Sequence, residues 1–130
     1  MRVNFEKTTI PCVTAEEVMW HIAHGYVWNI REVSGRYVGV FFATLLCGDG
    51  VIIHFLPVAG INIHFSTVLS AFRKAKKLFP IFGSVVFATV PEKKRTLIRL
   101  LAAMNFSVTG AAFVRENEGR IILLQYLNTQ

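Results

Sequence analysis

The chain has 130 residues, of which 53% are hydrophobic and 17% charged, with a formal net charge of +6; its mean hydropathy is +0.47. That length fits one domain, 1–130, able to bury about two thirds of its unfolded surface. It excludes a membrane-spanning helix: the uncharged run from Tyr37 to Gly48 ends at Asp49, short of the ~20 residues a span needs. The opening Met1–Lys7 also lacks the apolar core of a signal peptide. The expectation is a soluble cytoplasmic protein that either has a large core or hides apolar surface in a homodimer.

Residues 2–9 read as a short strand, closed by Pro11. Thr14-Ala-Glu-Glu17 is a capping box, so a helix runs over about 15–24 with Gly25 as its C-cap. The stretches 26–33 and 36–46 are β-branched and aromatic, joined by Ser34-Gly35 as a tight hairpin turn. Gly48-Asp-Gly50 makes a second turn into a third strand, 51–58, so the three form an antiparallel meander. Pro57 and Gly60 end or bulge that strand.

A helix follows with Ser66 or Thr67 as N-cap and Val68, Leu69, Phe72, Ala75 and Leu78 on one apolar face. Pro80 and Gly83 stop it. Ser84–Thr89 is a buried strand, and a helix from about Pro91 to Met104 presents Leu97, Ile98 and Leu101 to the core. Strands near 107–115 and 120–127, turned by Glu116–Gly119, complete an α+β (mixed α/β) fold. The expected sheet is central and mostly antiparallel, with six or seven strands and three helices.

The order of elements, and above all the unit from Ser84 to Leu127, resembles the GCN5-related N-acetyltransferase (GNAT) superfamily, as a compact divergent member of the kind bacteriophages encode. The helix ending Leu101-Ala-Ala-Met-Asn105-Phe106 is similar to the family's Tyr-x-x-x-Gly-Phe ending. Phe106 fits the residue that seats the next strand, and Asn105 can replace glycine because both tolerate left-handed backbone. Two departures stand out. Leu101 holds the position of the family's tyrosine general acid. The family's Gly-rich pyrophosphate loop aligns with Ile61-Asn-Ile-His64-Phe-Ser66, where both glycines are replaced.

The resemblance implies acetyl-CoA as cofactor and an amine as acceptor, on a small molecule or a protein. His54, on the strand where related enzymes place a base, is the candidate catalytic residue; the alternative is a core or interface histidine. Gly60, His64, Ser66 and Thr67 are the candidate cofactor-binding residues of the loop and helix start, where backbone N–H groups meet phosphate. Lys93, Lys94 and Arg95 are the third group. Cations at a helix start oppose its dipole at about 0.3–1 kcal/mol each, which points to an anion there, or to a face kept tolerable by Glu92 and solvent.

Eight of the fourteen basic residues lie between Arg73 and Arg99, a region that attracts polyanions or simply keeps an apolar protein in solution. His21 and His24 stand three apart, the wrong step for a zinc pair, so no metal is expected. Cys12 and Cys47 read as buried reduced thiols, with a nucleophilic Cys47 as the alternative. Tyr37 and Tyr126 carry phenols that could stand in for the missing acid, with packing as the other role. Three functions follow in order: an N-acyltransferase, a non-catalytic GNAT-fold protein with a binding or particle-associated role, and a nucleic-acid-binding module. The last lacks interleaved exposed aromatics.

Overall fold

A computed structural model of the chain describes residues 2–24, 26–46 and 48–128. The expectations for Gly25 and Cys47 fall outside these residues. The chain forms two compact units, Met1–Thr44 with Ile53–Leu78, and Leu45–Ile52 with Phe79–Gln130. Seven strands hydrogen-bond in the order β1-β2-β3-β4-β5-β7-β6. They are β1 Val3–Lys7, β2 Val27–Glu32, β3 Tyr37–Leu45, β4 Gly50–Pro57, β5 Val85–Pro91, β6 Ser107–Arg115 and β7 Gly119–Leu127. The helices are α1 Glu16–His24, α2 Phe65–Leu78 and α3 Arg95–Ala103. The α+β expectation with seven strands and three helices is therefore met.

In the first unit, β2 pairs antiparallel with both β1 and β3. Val38 to Ala43 are all buried, as are Val27 to Ile30. Such unbroken burial, in place of period-two alternation, marks strands covered on both faces. Val18 of α1 joins Val27, Val40 and Phe42 in one cluster, with Ile22 and Leu56 packed against it. Phe5 and Trp28 pack on Phe41 at 5.6 and 5.8 Å between ring centroids. Gly39 lets β3 approach β4 closely: a Cβ there would stand 2.5 Å from the Leu56 carbonyl oxygen.

Helix α2 differs from expectation at its start and on its buried face. It begins at Phe65, and the His64 carbonyl accepts from the N–H groups of Thr67 and Val68. Ser66 and Thr67 therefore lie inside the first turn and are not caps. The fully buried positions are Thr67, Ala71 and Ala75, small residues at i, i+4 and i+8 that let the helix lie close on β1. Val68, Leu69, Phe72 and Leu78 are half-buried at its sides; Phe72 meets Phe55 edge-on at 6.2 Å.

In the second unit, β7 pairs antiparallel with β5 and β6. A 3₁₀ turn, Phe79–Phe82, carries Phe79 into an aromatic cluster with Phe106 and Tyr126 at 5.7 and 5.2 Å. The Asn128 side-chain amide donates to the carbonyls of Phe79 and Gly83, fixing that turn. Pro91 is the last residue of β5, paired with Ile121, and not part of a helix first turn. A turn follows, closed by the Lys94 N–H donating to the Pro91 carbonyl at 2.9 Å, so α3 starts only at Arg95.

The end of α3 follows the sequence reading. Asn105 has φ 73°, in the left-handed region. Its N–H donates to the Ala102 carbonyl and that of Phe106 to Leu101, the paired bonds of a Schellman motif. Leu101 and Phe106 are both buried beneath it. The β6–β7 ladder slips between Val108 and Ala112, where the Thr109 hydroxyl donates to the Leu123 carbonyl and Gly110 takes φ 89°. Nothing in the hydrophobic pattern signalled that bulge.

Candidate functional site

The side chain proposed as base, His54, lies mid-β4 and is half-buried. The Val58 N–H donates to the Val38 carbonyl, and continuing that antiparallel register sets Phe42 opposite His54. Their rings stack at 4.7 Å and 18°. Thr44 is then the diagonal neighbour on the same face, with its Oγ1 3.1 Å from His54 Nε2. The same hydroxyl lies 2.7 Å from Nε2 of His21, a buried side chain on α1. His21 Nδ1 stands 2.6 Å from the Glu17 carbonyl one turn earlier. Phe42 also flanks His21 at 4.8 Å, so one buried ring holds both imidazoles.

His21 and Thr44 were not singled out as partners by sequence. The available signals were the β3–β4 hairpin register and the placement of His21 three residues after Val18 on the buried side of α1. Neither tells which strand α1 covers. No group of three potential metal ligands occurs among the described residues, and the side chain of His24 lies outside them.

A second cluster fixes the segment between β4 and α2. Glu32, at the end of β2, is only 3% exposed. Arg36 Nε and Nη2 donate to its two oxygens at 2.7 and 3.2 Å, and the Thr67 hydroxyl donates to Oε2 at 3.3 Å. The Arg36 hydrogen bonds hold the Glu32 carboxyl below the ordinary glutamate range, against the opposing effect of burial. Arg36 Nη2 also donates to the Asn62 carbonyl at 3.2 Å, tying down the loop ahead of α2. Sequence reading missed both residues; their i, i+4 spacing across the Ser34-Gly35 turn was the available signal.

The candidate cofactor residues sort by unit. Gly60, His64, Ser66 and Thr67 belong to the first unit; Lys93, Lys94 and Arg95 belong to the second. Gly60 has φ 78° with open space where a Cβ would be. His64 and Ser66 are exposed, whereas Thr67 is buried with its hydroxyl given to Glu32. The first turn of α2 contains no acidic residue, so its dipole is unopposed toward an anion. Ser66, Ser70, Arg73, Lys74, Lys77 and Arg2 line a cavity of about 570 Å³ beside that helix. Lys93 lies in the turn before α3, Lys94 at its N-cap position without a side-chain cap bond, and Arg95 is its first residue. All three are exposed.

The other candidates have structural surroundings. Leu101 is buried in the Schellman contact. Tyr126 packs into the Phe79–Phe106 cluster. Tyr37 is 40% exposed, with the Arg31 guanidinium 5.7 Å from its ring centre. The Cys12 thiol donates to the Gly39 carbonyl at 3.2 Å and is partly buried, which raises its pKa.

No family model matches this chain, and no curated protein matches it. Solved structures do. The chain superposes on a GNAT-family acetyltransferase of Bacillus cereus with TM-score 0.73 at 11% identity, covering 100% of both chains. The spermidine/spermine N-acetyltransferase SpeG of Vibrio cholerae gives 0.74 at 8% identity, over 97% of this chain and 92% of that one. A Bacillus cereus IAA acetyltransferase gives 0.72 at 10% identity over 97% and 99%. The architecture is thus the GNAT fold. Among the described residues, no helix is long and apolar enough to cross a membrane.

Proposed function

We propose that this chain binds acetyl-CoA and transfers its acetyl group to an amine. The observation that carries the reading is the end-to-end match to a GNAT-family acetyltransferase fold with TM-score 0.73, joined to an imidazole, His54, on β4, stacked on Phe42 and within 3.1 Å of the Thr44 hydroxyl. The residues present suit an anionic ligand. Open backbone at Gly60, an exposed Ser66 and an acid-free helix start are what a pyrophosphate needs. The cationic cavity along α2 supplies further positive charge; Lys93, Lys94 and Arg95 are exposed cations of the second unit.

Acetyl-CoA, when bound, supplies the thioester carbonyl that the amine attacks. The protein's share is to orient the amine and remove its proton, and His54 is assigned the second task. No acid is assigned, because Leu101 is buried hydrocarbon where the family's tyrosine stands. That same residue favours a second reading, a GNAT-fold protein with a binding or particle-associated role in place of catalysis.

Thermal unfolding with and without acetyl-CoA separates the two. Ligand at a hundred times its Kd adds about 2.7 kcal/mol of stability. A rise in Tm that Lys74→Glu or Lys94→Glu diminishes supports cofactor binding. No rise at millimolar acetyl-CoA leaves the non-catalytic role.

A further inference from the structure

Helix α2 has two unlike flanks, divided by its buried stripe Thr67, Ala71 and Ala75. On one side Phe72 meets Phe55 of β4. On the other, Ser66, Ser70, Arg73, Lys74 and Lys77 follow one another at helical spacing and, with Leu69 and Arg2, line the cavity of about 570 Å³. The cavity thus lies on the β1 side of the helix, away from the strand that carries His54. Arg2 stands at its N-terminal end, because Val3 pairs with Glu32 and Glu32 receives the Thr67 hydroxyl. Among the described residues, none of Arg2, Arg73, Lys74 and Lys77 has a carboxylate partner, and no acid lines the cavity. Glu32 itself is already held by Arg36. Lys77, in the last turn, suits the helix dipole, but mid-helix Arg73 and Lys74 and the distant Arg2 gain nothing from it. Lys74 is half-buried, so its charge is partly withdrawn from water with no counter-charge in reach.

We propose that this cavity is a second anion site, taking a small ligand that carries two or more linked phosphate groups. Four cations, three from α2 and one from the residue preceding β1, converge on it with two serine hydroxyls. Such donors bind phosphate oxygens through charge-assisted hydrogen bonds. Ser66 to Lys77 covers roughly 16 Å of helix, so one phosphate cannot engage both ends, whereas a di- or triphosphate chain can follow the row. The volume falls within the about 300–1,000 Å³ of small-molecule sites. No aromatic side chain lines it to stack the bases of a nucleic-acid strand. The cavity shares only Ser66 with the helix start assigned to the acetyl donor, and the inference stands without the acyl-transfer reading.

Calorimetric titration of the full chain with tripolyphosphate, in magnesium-free buffer at fixed moderate salt, tests the proposal. One equivalent is expected to bind, and absence of binding overturns the site. Arg2→Gln and Lys74→Gln should each raise Kd about tenfold or more. Arg99→Gln makes the same charge change at an exposed position of α3 and should leave Kd within about twofold. Equal losses in all three variants would mean diffuse attraction to a basic protein and overturn the site. Orthophosphate binding as tightly as tripolyphosphate overturns the linked-phosphate occupant, as does binding of a thymidine oligonucleotide alone. ATP binding more tightly than tripolyphosphate supports a nucleotide as the source of the phosphates, and the reverse order supports a free polyphosphate chain. Saturating acetyl-CoA should leave the tripolyphosphate Kd bounded. A Kd that climbs in proportion to acetyl-CoA concentration puts both ligands at one site and overturns the separation. Should acetyl-CoA not bind, the acyl-transfer reading falls while the tripolyphosphate titration still decides the cavity.

Discussion

Replacing Gly39 with alanine probes the contact on which the path from β3 to the loop ahead of α2 depends. The added methyl would sit 2.5 Å from the Leu56 oxygen, 3.2 Å from Pro57 Cα and 3.3 Å from Leu56 C, all backbone atoms that cannot rotate away. Reaching ordinary contact requires the two strands to part locally by roughly 0.5–1 Å, against overpacking costs of about 1–3 kcal/mol. That displacement also stretches the 2.9 Å bond from Val58 N–H to the Val38 carbonyl, whose loss costs about 0.5–1.5 kcal/mol. The sum, about 1.5–4.5 kcal/mol, is a midpoint shift on the order of 1 M in urea at unchanged m. Gly35→Ala provides the comparison: φ there is 106° with no neighbouring atom within 4 Å, so only backbone strain of about 1–2 kcal/mol applies. A Gly39→Ala loss below about 0.5 kcal/mol would refute the close-approach argument.

Asn105→Ala should destabilise by about 1 kcal/mol in the same assay, because alanine pays more than asparagine at φ 73°, while Asn105→Gly should be neutral or stabilising; an unaffected alanine variant would count against the Schellman assignment. Glu32 has a folded pKa below its ordinary 4.5, so its contribution is complete above that pH and is lost as pH falls through the depressed value. The stability gap between wild type and Glu32→Gln should accordingly narrow as pH drops below about 4.5, and a gap that widens there would be inconsistent with the Arg36 pairing. In a Cys47→Ser background, Cys12 should react with a disulfide reagent at neutral pH more slowly than a free peptide thiol, since burial raises its pKa; equal rates would argue against the buried thiol.

The order of elements was legible because turn chemistry and composition agreed. Ser34-Gly35, Gly48-Asp-Gly50 and Asn105 each occur where the backbone turns or goes left-handed. The misreadings arose where tertiary partners overrode local pattern. Thr67 looked like a cap, yet its hydroxyl is drawn to Glu32, thirty-five positions away. Pro91 looked like a helix opener, yet pairing with Ile121 keeps it in β5. The α2 stripe was read mostly from larger side chains; of it Ala75 is fully buried, and close packing on β1 adds Thr67 and Ala71. His54 was legible as a strand residue, now mid-β4, but the side chains its ring meets were not. The Glu17–His21–Thr44–His54 series depends on how α1 lies over β3 and β4, which no local spacing encodes.

The most direct test of the account is turnover itself. Free CoA released from acetyl-CoA should be matched by N-acetylated product when spermidine or a lysine peptide is the acceptor. His54→Ala should reduce the rate by about 10²–10⁴ while preserving the Tm rise with acetyl-CoA. Neither CoA release nor stabilisation at millimolar acetyl-CoA would contradict the account and leave the GNAT fold in a non-catalytic role.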